Sequence, residues 1–112
     1  MKRLQRDPDP LSQPALHILL ALGDEAKHGY AIMQDIARES DGTIRLLPGT
    51  LYSTMKKLLA EGMVEEVAAP RDADSDDTRR RYYRVTKRGR LAAETETRRM
   101  AMLVRWGKVF LS

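Results

Sequence analysis

Apolar residues recur along this chain at helical spacing in its first sixty positions, then at strand spacing, then at helical spacing again. Leu16, Leu19, Leu20 and Leu22 predict a first helix with its apolar residues largely buried, capped by Ser12, with Pro14 in its first turn and Gly23 as its stop. A polar turn over residues 24 to 28 separates it from a second helix. Tyr30, Met33, Ile36 and Ala37 form the stripe of that helix, which closes near Ser40-Asp41-Gly42. Leu51, Met55 and Leu58 stand at i, i+4 and i+7 and predict a third helix over residues 49 to 61, with Pro48 at its start and Gly62 past its end.

Residues 63 to 68 alternate weakly around valines, and residues 79 to 85 carry tyrosine and valine at strand-like spacing, so the two segments read as a hairpin. Tyr83 and Val85 are expected to pack inward, with Tyr82 and Arg84 more exposed. From the cap residue Thr86 the pattern is helical nearly to the end, and Glu94 and Arg98 are ordered for an i,i+4 pair. The fold class that follows is mainly α with a small β-hairpin. Residues 1–10 read as a flexible arm, residues 11–86 as a winged helix-turn-helix, and residues 87–112 as a long C-terminal helix continuous with it.

Composition narrows the function. A chain of 112 residues suits one small domain. Twenty basic against 16 acidic residues give a net charge of +4, which favours anionic partners. The absence of cysteine excludes disulfides, thiolate metal sites and a cysteine nucleophile together. The longest apolar run, Leu16 to Leu22, is interrupted by His17 and is too short for a bilayer span. Met1-Lys2-Arg3 leads into Asp7-Pro8-Asp9-Pro10 and not into a signal-like stretch, so a cytoplasmic protein without a membrane partner is expected. No nucleophile-base pair, metal cluster or phosphate-cradling glycine loop is apparent, which argues against an enzyme and for no cofactor. Asp72-x-Asp74-x-Asp76 has the spacing that opens a calcium loop, but Asp77 replaces the required glycine and Tyr83 the closing glutamate. No metal site is expected.

The third helix carries the candidate chemistry. Opposite its apolar stripe it offers Thr50, Tyr52, Ser53, Lys56 and Lys57, with no carboxylate before Glu61. A B-DNA major groove, about 12 Å wide, admits one such helix. Ser53 and Lys56 rank first for base contact, and Tyr52 either directs its hydroxyl to a phosphate or is partly buried against the wing. The wing adds Arg71 on one side and Arg79, Arg80 and Arg81 on the other, placed to clamp phosphates or reach a minor groove. Lys87 and Arg88 stand in the first turn of the last helix, where the helix dipole disfavours a cation by roughly 0.3–1 kcal/mol. A phosphate partner explains that placement, as does a nearby carboxylate such as Glu65 or Glu66. His28 suits a structural role at the start of the second helix, or a contact to a backbone phosphate.

The last helix is too apolar near its end to stand in water alone. Met102, Leu103, Trp106, Val109 and Phe110 follow helical spacing and are expected to form a homodimer interface with the first helix of the partner, around Leu16 and Leu19. Two recognition helices about 34 Å apart would then read a palindromic operator.

Several short pieces occur in an order and spacing that carry a family signature: Leu16 to Leu22, His28-Gly29-Tyr30, Gly49-Thr50-Leu51-Tyr52, Leu58-Leu59-Ala60-Glu61-Gly62-Met63-Val64, and Tyr82-Tyr83-Arg84-Val85-Thr86 with Gly89. Over residues 11 to 95 the chain resembles the PadR family of transcriptional regulators. The resemblance implies a dimeric bacterial or archaeal repressor with double-stranded DNA as its partner. It also implies small-molecule effectors that differ between members, and the sequence identifies none. Trp106 has the flat face to stack on an aromatic effector, and its spacing equally suits interface core. Ser53 stands where many members carry proline, exchanging a rigid helix start for a hydroxyl donor. The competing class is a winged-helix protein-interaction module, in which the basic faces would be incidental.

Overall fold

The computed structural model describes residues 10–73 and 80–112. The expected 1–10 arm therefore lies, but for Pro10, outside the described residues. Helix α1 (Gln13–Leu22) begins where the Ser12 hydroxyl accepts the Ala15 amide at 3.2 Å, and ends at Gly23, whose amide still reaches the Leu19 carbonyl and whose φ of 55° turns the chain out of the helix. It buries Ala15, Leu16, Ile18, Leu19 and Leu22. Leu20, expected inside with them, is 56% exposed, because it stands about 100° around the helix from Leu19 and falls outside the stripe. Leu16 and Leu19, assigned above to a partner's surface, are buried in the chain's own core, which leaves Leu20 as the exposed leucine of α1.

The stretch expected as a plain turn contains a strand, β1 (Lys27–His28). It pairs antiparallel with β3 (Tyr82–Val85), matching Lys27 to Tyr83 and His28 to Tyr82. Strand β2 (Val64–Val67) pairs with the other edge of β3, from Val64↔Val85 to Val67↔Tyr82. The expected hairpin of β2 and β3 is present, and β1 extends it to a three-stranded sheet in the order β1-β3-β2. Two residues are too short a segment for period-2 alternation to show. The extra strand also corrects the reading of β3: Tyr82 is buried along with Tyr83, and the His28 ring meets the Tyr82 ring edge-on at 5.3 Å.

Helix α2 (Gly29–Glu39) is capped by the His28 side chain, whose Nδ1 accepts the Ala31 amide at 3.2 Å. Its buried positions are Gly29, Ile32 and Ile36. Tyr30, placed in the stripe above, is 54% exposed, one position off the core-facing line. Helix α3 (Pro48–Ala60) turns Leu51, Met55 and Leu58 fully inward, as the spacing requires. These side chains meet Ile18, Leu22 and Ile32 at the centre of one hydrophobic core, with Val64 and Tyr83 closing it from the sheet. Helix α4 (Lys87–Gly107) starts on Thr86, whose side chain accepts the Gly89 amide at 3.1 Å and donates to the Gly62 carbonyl at 2.6 Å. A 3-10 turn (Lys108–Phe110) follows. Among the described residues no helix is long and apolar enough to cross a membrane.

Candidate nucleic-acid interface

Helix α3 divides sharply. Its core stripe is at most 1% exposed, whereas Thr50, Tyr52, Ser53, Lys56 and Lys57 are all exposed. Its first turn holds no acidic residue, and its N-cap is Leu47, which supplies no side-chain acceptor. The positive end of the helix dipole therefore meets solvent without a carboxylate to offset it. Ser53 turns its hydroxyl to the Thr50 carbonyl at 3.3 Å, a weak contact that a base or phosphate can replace. Lys56 and Lys57 make no ion pair among the described residues.

Next to this face, α2, α3 and the wing border a half-open cavity of about 310 Å³. Tyr30 and Tyr52 line it from the helices, and Arg80, Arg81 and Tyr83 from the wing. The Arg80 guanidinium lies over the Tyr30 ring, 5.6 Å from its centroid, and within 3.2 Å of His28 Nδ1. Burial, together with the charge of Glu66, pushes the Tyr83 phenol above its ordinary value, against the opposing influence of Arg81. It stays a neutral hydroxyl at physiological pH. Tyr52 reaches across to α2 so closely that Gly29 has no room for a side chain. The cavity thus brings together Tyr52, Arg80 and Arg81, expected to contact DNA, with His28, for which a phosphate contact is one of two readings, and adds Gly29, Tyr30 and Tyr83. Sequence spacing gives no hint of the grouping, because residues 28–30 and 80–83 meet only through the β1 pairing.

The other cations lie elsewhere. Arg79 falls outside the described residues. Arg71 is exposed beyond β2, between Pro70 and Asp72, which line a pocket with Asp24, Glu25 and Ala26 ahead of β1. Lys87 and Arg88 are exposed at the opposite end of the wing, where Arg88 runs beside Gly62 just past α3. Among the described residues, neither forms an ion pair with Glu65 or Glu66. Cations therefore flank both ends of α3, a helix of 13 residues and hence about 20 Å long.

A polar strut fixes α2 against α1 and β1. The Lys27 ammonium donates to Asp35 at 2.5 Å and to the Ala21 carbonyl at 2.6 Å, and Arg38 meets the second Asp35 oxygen at 2.7 Å. At the far end of the chain, Met102, Leu103, Trp106, Val109 and Phe110 all remain exposed, Trp106 by 80% and Phe110 by 87%.

Residues 18–95 match the profile of the transcriptional regulator PadR-like family. The chain is 42% identical over 84 residues to the transcriptional regulator Rv3488 of Mycobacterium tuberculosis, covering 75% of this chain and 71% of that one. The PadR family transcription regulator of hypervirulent Clostridium difficile R20291 shares the fold, with a TM-score of 0.73 at 19% identity over 90% of this chain and 100% of that one. The PadR family transcriptional regulator of Eggerthella lenta DSM 2243 superposes with a TM-score of 0.62 at 27% identity, over 86% and 80% of the two chains.

Proposed function

The chain belongs to the PadR-like family of transcriptional regulators, and we propose that it is a sequence-specific DNA-binding repressor acting as a homodimer on a palindromic operator. The observation that carries this reading is the split of α3 into a buried stripe and an exposed, carboxylate-free face of hydroxyls and lysines. With α3 in the major groove, Ser53 and Lys56 read base edges, while Thr50, Tyr52 and Lys57 contact the flanking backbone. Arg71, Arg80 and Arg81 of the wing, with Lys87 and Arg88 behind α3, hold phosphates on either side and set the register.

Dimerisation supplies the second reading helix. The exposed Met102, Leu103, Trp106, Val109 and Phe110 form the contact, with Leu20 in place of the buried Leu16 and Leu19. Two copies related by a two-fold axis match an inverted repeat whose half-sites lie one helical turn, about 34 Å, apart. Occupancy of such a site blocks transcription by excluding other proteins from the same DNA.

The test is selection of bound fragments from the host genome, followed by titration of a selected site against random duplex at physiological salt. Tighter binding to the selected site, with an inverted repeat within it, is the expected result. Equal affinity for both duplexes refutes sequence-specific regulation.

A further inference from the structure

We propose that the cavity between α2, α3 and the wing is the seat of one backbone phosphate of bound DNA, and that filling it locks the recognition helix to the wing. The inference rests on DNA binding as proposed above, and adds to it a defined site with its own residues.

Four features of the cavity suit a phosphodiester. Two guanidinium groups, Arg80 and Arg81, stand at its wall, and their planar donor forks match phosphate oxygens. The Tyr30 and Tyr52 phenols add hydroxyl donors from the two helices. Tyr83, buried and neutral, forms part of a low-dielectric wall that strengthens charge-assisted contacts. At about 310 Å³ the space is at the small end of ligand cavities, which run from about 300 to 1,000 Å³, so it takes a single anionic group and its sugar more readily than a whole effector.

The site is also pre-arranged. Arg80 is held over the Tyr30 ring and beside His28, so binding an anion costs little further ordering of that side chain. Tyr52 belongs both to the exposed face of α3 and to the cavity wall, which puts the seat on the path of a strand whose groove is occupied by Ser53 and Lys56. An anion bridging Tyr52 and Arg81 joins α3 to the wing directly, one residue ahead of β3. Glu66, paired with Tyr83 across the sheet, is the carboxylate that opposes it.

The experiment uses the full chain and a duplex it has been shown to bind. Arg81→Gln, Arg80→Gln and Tyr52→Phe are titrated across a range of salt, alongside duplexes in which single phosphates are replaced in turn by neutral methylphosphonate. Arg81 and Tyr52 are exposed, so these changes leave the fold intact. Each arginine variant should lower the slope of log affinity against log salt by about 0.9 for every phosphate it no longer neutralises, equally on specific and random DNA. One methylphosphonate position per half-site should weaken the wild-type protein about tenfold and the Arg81→Gln protein hardly at all. If both arginine variants keep the wild-type slope while the wild type binds specifically, the seat is refuted and DNA binding stands. If the wild type binds no duplex, the functional reading itself fails. A third arm titrates inorganic phosphate into free protein: Arg81-dependent saturation at low concentration, with no methylphosphonate effect on DNA, would make the cavity a receptor for a free phosphorylated molecule and overturn the DNA assignment.

Discussion

A methyl group on Gly29 would lie 2.6 Å from the hydroxyl of Tyr52 and 2.9 Å from Cδ2 of Leu51. The first clash is with the end of a side chain that can swing, and the second with a leucine sealed in the core. Gly29→Ala is therefore expected to cost about 1–2 kcal/mol of stability through overpacking, and to move the Tyr52 phenol out of its cavity. DNA affinity, measured where the variant is still fully folded, should fall by more than the stability change explains. Adding Tyr52→Phe should cause little further loss; full additivity of the two would show that the close approach has no bearing on binding.

At the other end of the wing the constraint is stricter. A Cβ on Gly89 would overlap the Met63 carbonyl oxygen, which already accepts the Thr86 amide at 3.0 Å. Here the neighbour is backbone and cannot swing away. Gly89→Ala should cost about 3 kcal/mol or more, at the upper end of overpacking effects, by pushing the start of α4 away from the Met63 backbone. Urea unfolding checks this, and an unchanged midpoint would contradict the packing described.

Asp35 sets a pH dependence. Burial alone would raise its carboxyl, but hydrogen bonds from Lys27 and Arg38, and their charges, outweigh burial and hold it below the ordinary carboxylate value. A depressed folded-state value means that the unfolded chain binds the proton more tightly. The stability this group provides is complete above about pH 4, the ordinary range of an unfolded aspartate, and drains away as pH falls through the lower folded value. Asp35→Asn should destabilise the protein by about 1–3 kcal/mol at neutral pH, because Lys27 loses its charged acceptor, and should flatten the acid limb of the stability profile. An acid limb identical to that of the wild type would place the titrating group elsewhere.

The helices are legible in the sequence because their signals are local. Ser12, Gly23, Pro48, Gly62 and Thr86 mark boundaries through caps and breakers, and the Leu51-Met55-Leu58 repeat gives a face directly. What escapes depends on contacts between distant segments. Strand β1 exists because β3 offers it an edge, and with β1 come the burial of Tyr82 and the gathering of His28 with Arg80. A run of leucines likewise states that a helix is amphipathic without stating how wide its buried stripe is, so spacing alone puts Leu20 in the core. The individual cations of the candidate interface are visible in the sequence. The cavity that groups some of them is not.

Lys56 separates base reading from phosphate contact. It is exposed near the middle of α3 and, among the described residues, engages no carboxylate. Lys56→Ala should weaken binding to the selected operator by about 1–3 kcal/mol while changing random-DNA affinity much less. An equal loss on both duplexes, with the salt slope lowered by about one, would reassign it to the backbone.

Trp106 and Phe110 test the dimer. Both side chains are more than three-quarters exposed, and covering an aromatic of this size contributes about 1.5–3 kcal/mol. Two copies related by a two-fold axis each contribute both residues, so four such side chains are covered in the assembly. Sedimentation of the wild-type protein at micromolar concentration should therefore give the mass of two chains. The Trp106→Ala/Phe110→Ala variant should sediment as a monomer with its winged-helix core intact, since neither residue touches that core. On DNA the variant should bind a full palindrome no more tightly than an isolated half-site, because the gain from linking two reading helices is lost. A wild-type protein that sediments as a monomer would remove the two-fold operator from the proposal and leave a single α3 to account for all recognition.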